Sequence, residues 1–169
     1  MNVALNIATR QDVDRPEEFK GRYLLSLKLV ERLHRLLLDG IKDEFERRGR
    51  SDVNSVQALL LYNIGDAELT AGELTSRGFY LGSNVSYNLK KLVEAGYINH
   101  HRSKTDRRSV RVSLTEKGQE VSSIVNGLYQ RQLISLKQVG GIDSDDLDRL
   151  NKSLIKLERF WSDQIRYQL

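Results

Sequence analysis

Two groups of side chains between residues 83 and 115 have the chemistry of nucleic-acid recognition. The first lies in Ser83-Asn84-Val85-Ser86-Tyr87-Asn88-Leu89-Lys90-Lys91-Leu92-Val93. Its polar members Asn84, Ser86, Tyr87, Lys90 and Lys91 offer amide, hydroxyl and ammonium groups, which hydrogen-bond base edges or neutralise phosphates. The second is the run of cations Arg102, Lys104, Arg107 and Arg108, followed by Arg111. Residues 97–114 hold five Lys or Arg and one acid, Asp106, a net charge of +4. The whole chain also carries +4, so the other residues balance to zero. A basic excess confined to one segment is the electrostatic footprint of a polyanion-binding surface. The bland alternative is a solvated edge hairpin whose charges prevent strand-to-strand association.

The elements that must position these groups follow from periodicity. Val85, Leu89, Leu92 and Val93 fall at helical spacing, with the polar set opposite, and Gly96 is placed to end that helix. Tyr97 and Ile98 begin a strand, and Val110, Val112 and Leu114, two apart, form another. A polar-faced helix followed by a basic two-stranded hairpin predicts a winged helix-turn-helix, with the helix in a major groove and the hairpin on phosphates or in the minor groove. Tyr87 either touches a thymine methyl or phosphate, or covers the scaffold as a partly exposed tyrosine. Lys90 and Lys91 are either phosphate contacts or solvated charges.

Other chemistries find little support. The chain has no cysteine, which removes disulfides and thiolate metal sites. His100 and His101 are adjacent in a strand and point to opposite faces, and His34 is isolated, so no metal set forms. The adjacent pairs Glu17-Glu18 and Asp145-Asp146 sit at helix starts, where the dipole accounts for them. No nucleophile has a base and an orienting group, and no Gly-rich phosphate loop or dinucleotide fingerprint is present. The sequence therefore implies no enzyme and no cofactor. No apolar run reaches about 18 residues, so no transmembrane span is indicated. The N-terminus lacks a secretory pattern, and a cytoplasmic location is the default expectation.

In chain order, residues 1–16 read as a flexible N-terminal arm, and the single Pro16 opens a helix to about residue 48 with an apolar stripe from Phe19 to Phe45. Leu25, Leu29, Leu36 and Leu38 lie off that stripe. A helix apolar on several sides is buried on several sides, which predicts a second subunit. Asn54 caps a helix ending at Gly65. Thr70 and Glu73 form a capping box for a short helix, and Gly78 to Gly82 is the turn before the polar-faced helix. Thr115 caps the next helix, which stops at Gly140-Gly141. Asp143 caps the last, where Leu147, Leu150, Leu154, Leu157 and Trp161 share a face. Trp161 reads as a core or dimer anchor.

The stretch Asp106-Arg107-Arg108-Ser109-Val110-Arg111-Val112-Ser113-Leu114-Thr115 resembles the wing signature of the MarR family of bacterial transcription regulators: Asp, any, Arg, five of any, Leu-Thr. With the element order, the resemblance covers roughly residues 17–169. It implies a mainly α fold with a small β-hairpin, a winged helix-turn-helix over about 54–115, flanked by dimerisation helices over about 17–48 and 116–169. It further implies a homodimer on double-stranded DNA with a pseudopalindromic operator. A small aromatic or anionic effector would bind near the junction of the first helix with helices 54–65 and 116–139, among Leu, Phe and Tyr with polar groups such as His34 or Tyr62. Carried over by position, Arg108 would enter the minor groove, oriented by Asp106. Ser83, Asn84, Ser86, Tyr87 and Lys90 would face the major groove. Apart from the resemblance, the hairpin cations Arg102, Lys104 and Arg107 are DNA-binding candidates by their charge, Arg107 as a phosphate contact. The family's usual Leu-Gly-Leu-Ser turn is replaced by Gly78-Phe79-Tyr80-Leu81, so the first contact is one of Gly82, Ser83 and Asn84. The alternative reading is a winged helix used as a protein-interaction module, which has no need of a hairpin at +4.

Overall fold

The computed structural model describes residues 15–76, 82–102 and 110–167, which divide between Ser51 and Asp52 into two compact units. The first unit contains α1 (Pro16–Arg47). Pro16 sits in the first turn with Glu17 and Glu18, where a missing N–H costs nothing and negative charge meets the positive helix end. Gly49, at φ 67°, closes the helix: its N–H donates to Glu46 O at 2.9 Å and that of Arg50 to Phe45 O at 2.9 Å. This is a Schellman ending, which only a residue tolerant of positive φ adopts without strain. Ile41, Glu44 and Phe45 are buried, whereas Phe19, Leu25, Leu33 and Leu36 are exposed. Glu44 escapes an unpaired charge by accepting from Arg47 at 2.6 Å and Arg48 at 2.8 Å.

The second unit contains α2 (Ser55–Ile64), β1 (Leu69–Thr70), α3 (Ala71–Ser76), α4 (Gly82–Glu94), β2 (Ile98–Arg102), β3 (Val110–Leu114), α5 (Glu116–Val139) and α6 (Ser144–Tyr167). Side-chain-to-backbone caps start the helices where the sequence predicts. Asn54 Oδ1 accepts from Gln57 N at 2.8 Å, and Gln57 Oε1 accepts from Asn54 N at 3.1 Å. Thr70 and Glu73 form the same reciprocal box, at 3.1 and 2.6 Å. Asp143 Oδ1 accepts from Asp146 N at 2.8 Å.

The core of this unit is α2 packed on α5 and closed by the sheet. Ala58, Leu60, Leu61 and Ile64 of α2 are buried with Val121 and Val125 of α5 and Val112 of β3. The sheet has three strands in the order β1-β3-β2, both pairings antiparallel. The expected two-stranded hairpin gains β1, because Leu69 and Thr70 pair with Val112 and Arg111. Helix α6 buries none of its residues, and Leu150, Leu154, Phe160 and Trp161 remain exposed, so Trp161 is no core residue of the single chain. Among the described residues, no helix is long and apolar enough to cross a membrane.

Candidate nucleic-acid interface

Helix α4 separates its faces as its periodicity dictates. Leu89 and Leu92 are buried at 7% and 1% exposure and Val93 is half-buried, which fixes the helix to the unit. Ser86, Tyr87, Lys90 and Lys91 are exposed on other sides. The Lys91 ammonium lies 5.9 Å from the centre of the Tyr87 ring, and Lys90 and Lys91 approach Glu94 at 3.9 and 3.8 Å. Pairs this long and this exposed are readily exchanged for a phosphate. The helix begins at Gly82, which places Ser83 and Asn84 in its first turn.

The end of α4 is anchored from the start of α5. Gly96, at φ 77°, makes a Schellman ending with Gly96 N to Val93 O at 3.0 Å and Tyr97 N to Leu92 O at 2.8 Å. Two further carbonyls of this turn are met by α5: Thr115 Oγ1 donates to Gly96 O at 2.8 Å, and Lys117 Nζ donates to Ala95 O at 3.0 Å. Lys117 also lies 4.2 Å over the ring of the buried Tyr97, whose hydroxyl donates to Asp52. A cation at the negative end of a helix is stabilising. The same contacts fix the axis along which α4 presents its polar face.

The hairpin places its residues by register. Ile98, His100 and Arg102 oppose Leu114, Val112 and Val110, and Asn99 and His101 oppose Ser113 and Arg111. The two histidines face opposite ways, as alternation requires. His100 lines a cleft of about 320 Å³ with Ser86, Leu89, Lys90 and Val112. His101 meets the Glu68 carboxylate instead. Arg111 is half-buried and opposes His101, in the second position of β3. Arg102 stands at the end of β2, opposite Val110. Lys104, Asp106, Arg107 and Arg108 fall in residues 103–109 and the turn Gly78–Leu81 in residues 77–81, so both lie outside the described residues, as does most of the N-terminal arm. Lys117, Asp52 and Glu68 are positioning residues that the sequence did not single out, whereas Thr115 was expected as a helix cap.

Comparison with known proteins agrees with this geometry. Residues 53–118 match a family profile described as a winged helix DNA-binding domain. The chain is 35% identical over 148 residues to the exopolysaccharide II synthesis transcriptional activator ExpG of Rhizobium meliloti (strain 1021), covering 86% of this chain and 74% of that protein. Among solved structures, the fold is similar to Streptococcus pneumoniae FabT in complex with DNA, with TM-score 0.60, 23% identity and coverage of 84% and 98% of the two chains. It is also similar to Staphylococcus aureus MarR in complex with salicylate and kanamycin, with TM-score 0.65, 20% identity and coverage of 88% and 95%. Taken with the polar face of α4 and the wing that follows it, these matches establish that the chain belongs to the MarR family of winged-helix, DNA-binding transcription regulators.

Proposed function

We propose that the protein acts in the bacterial cytoplasm as a homodimer that reads a pseudopalindromic operator and responds to a small molecule. The observation that carries the reading is the exposed polar face of α4, backed by buried Leu89 and Leu92 and followed by the segment that holds the chain's whole positive excess. In this reading Ser83, Asn84, Ser86 and Tyr87 meet base edges. Lys90, Arg102, Lys104 and Arg107 meet phosphates. Arg108, steadied by Asp106, enters the flanking minor groove, where narrow A·T-rich tracts concentrate negative potential.

Dimer formation is supported by apolar surface that one chain leaves uncovered: Phe19, Leu25 and Leu33 on α1, Leu133 and Ile134 on α5, and Leu154, Phe160 and Trp161 on α6. Large apolar side chains left exposed on each of three helices suit burial against a partner chain. A two-fold dimer presents two copies of α4, so half-site centres would lie about 34–36 Å apart. Effector control is supported by a cleft of about 570 Å³ between α2 and α5, lined by Tyr62, Tyr129 and Leu133, within the usual size of a small-molecule site. The rings of Tyr62 and Tyr129 meet edge-to-face there at 4.9 Å.

Sedimentation equilibrium at micromolar concentration, with and without a duplex selected from genomic fragments, tests the assembly. The expected species is a dimer that binds an inverted repeat as one unit. A folded monomer, or equal affinity for a single half-site, refutes it.

A further inference from the structure

Two cavities of the second unit share Tyr62 and run along one stripe of α5. The cavity toward the wing, about 470 Å³, is lined by Asp66, Gln119, Ser122, Ser123 and Asn126, and reaches Leu114 at the end of β3. The other is the cleft at Tyr129, Leu133 and Leu136. Positions 119, 122, 123, 126, 129, 133 and 136 advance by one, three or four residues, so they form a single face of α5 about 25 Å long at 1.5 Å per residue. One end of this groove offers hydroxyls and amides, and the other offers rings and aliphatic side chains. Among the described residues, Asp66, Gln119, Ser122, Ser123 and Asn126 make no side-chain hydrogen bond or ion pair with the rest of the chain, so their donors and acceptors are available to a ligand.

We infer that this groove takes an uncharged amphiphile: an apolar ring or short chain seated against Tyr62, Tyr129 and Leu133, carrying a hydroxyl- or amide-rich head that lies on Ser122, Ser123 and Asn126. The inference rests on the proposal that an effector binds this family member, and it specifies the effector's class. The head carries no negative charge because, among the described residues, the carboxylate Asp66 is the one acidic or basic group lining the polar end. An anionic head would lie beside Asp66 with no cation to offset it. Serine, asparagine and glutamine side chains both donate and accept, which suits a polyhydroxy or amide group rather than a carboxylate. The polar end also adjoins the α4 anchor. Gln119 N donates to Thr115 O at 2.9 Å, and Leu114 ends β3, opposite Ile98 at the base of the wing. A head seated there is close to the contacts that aim α4.

The test is calorimetric titration of the full chain with four probes: phenyl β-D-glucoside, D-glucose, phenol and salicylate. Phenyl β-D-glucoside is expected to bind at least tenfold more tightly than each of the other three. Asn126→Leu, at an exposed helical position, should remove that advantage while leaving phenol within about twofold of the parent. Asp66→Asn should improve salicylate selectively. Salicylate binding more tightly than the glucoside, with no response to Asp66→Asn, overturns the neutral-head class and leaves effector control standing. Failure of all four to bind, with melting temperature unchanged, overturns both.

Discussion

Gly118 tests whether the junction of α4 with α5 is as close as the structure places it. A Cβ built on Gly118 would lie 2.2 Å from Tyr97 O and 3.3 Å from Leu114 Cβ. Contacts below 3.0 Å are essentially never seen for a real Cβ, so Gly118→Ala forces a separation of roughly 0.8 Å. The Tyr97 carbonyl has little room to retreat. It accepts from Thr115 N at 3.1 Å, and its residue is 1% exposed. Overpacking of this kind costs about 1–3 kcal/mol, and the rigidity of both neighbours points to the upper end. Replacing glycine in a helix returns up to about 1 kcal/mol of propensity. The net expectation is a loss of about 2 kcal/mol, or roughly 4–8 °C in melting temperature for a chain of this size. Gly127 in the same helix supplies the control, since its Cβ would meet only Arg131 Nη1 at 3.7 Å. Gly127→Ala should gain up to about 1 kcal/mol. Both variants are to be melted by circular dichroism at one fixed protein concentration, because oligomer stability depends on concentration. If Gly118→Ala melts at or above the parent while Gly127→Ala behaves as stated, the close approach of α5 to Tyr97 is wrong.

Three further outcomes are expected. Leu92→Ala deletes a 1% exposed side chain beneath the polar face of α4 and should cost about 2–5 kcal/mol by urea denaturation, with DNA binding lost in proportion to unfolding. Lys117→Met keeps the apolar stem over Tyr97 but removes the donor to Ala95 O, so it should weaken operator binding several-fold in a gel-shift titration with a loss of about 0.3–1 kcal/mol in stability. Asp146 is held below the ordinary carboxylate value of 3.8 by the Arg149 guanidinium at 2.5 Å and then by the backbone N–H of Asp143 at 3.3 Å. A depressed folded value means that its stabilisation is present above the unfolded value and disappears as pH falls through the folded one. The melting gap between the parent and Asp146→Asn should therefore close as pH is lowered through 4 toward 2, and a gap that persists at the acid end contradicts the pairing.

What was legible in the sequence was local. The Thr70–Glu73 box, the caps at Asn54 and Thr115 and the glycine endings depend on residues three to five apart, and each is found where the spacing predicts. The buried and exposed faces of α4 followed from a single period. What was missed depends on residues brought together across the fold. Strand β1 exists because Leu69 pairs with Val112, and a two-residue strand has no period of its own. Tyr97 with Asp52 and His101 with Glu68 join positions 45 and 33 residues apart, which spacing cannot reveal. Lys117 belongs to no pattern in the sequence, because its partners, Ala95 O and the Tyr97 ring, lie about 20 residues away outside α5. The buried Glu44 was hidden because a carboxylate within an apolar stripe reads as solvent-facing until Arg47 and Arg48 are seen to hold it.

Whether α4 and the wing hold DNA together is tested most directly by fluorescence anisotropy across a salt series. Parent, Arg108→Ala, Arg107→Ala and Arg111→Ala are to be compared on the selected operator and on a scrambled duplex. Arg108→Ala removes the proposed minor-groove contact and leaves Asp106 facing phosphates, so it should lose at least tenfold on the operator, more than Arg111→Ala at a half-buried position of β3. Arg107→Ala should lower the salt slope by about one per subunit and spare the preference for the operator. Operator binding by Arg108→Ala as tight as the parent's, with an unchanged preference over the scrambled duplex, would contradict the assignment of the wing as a DNA-reading element.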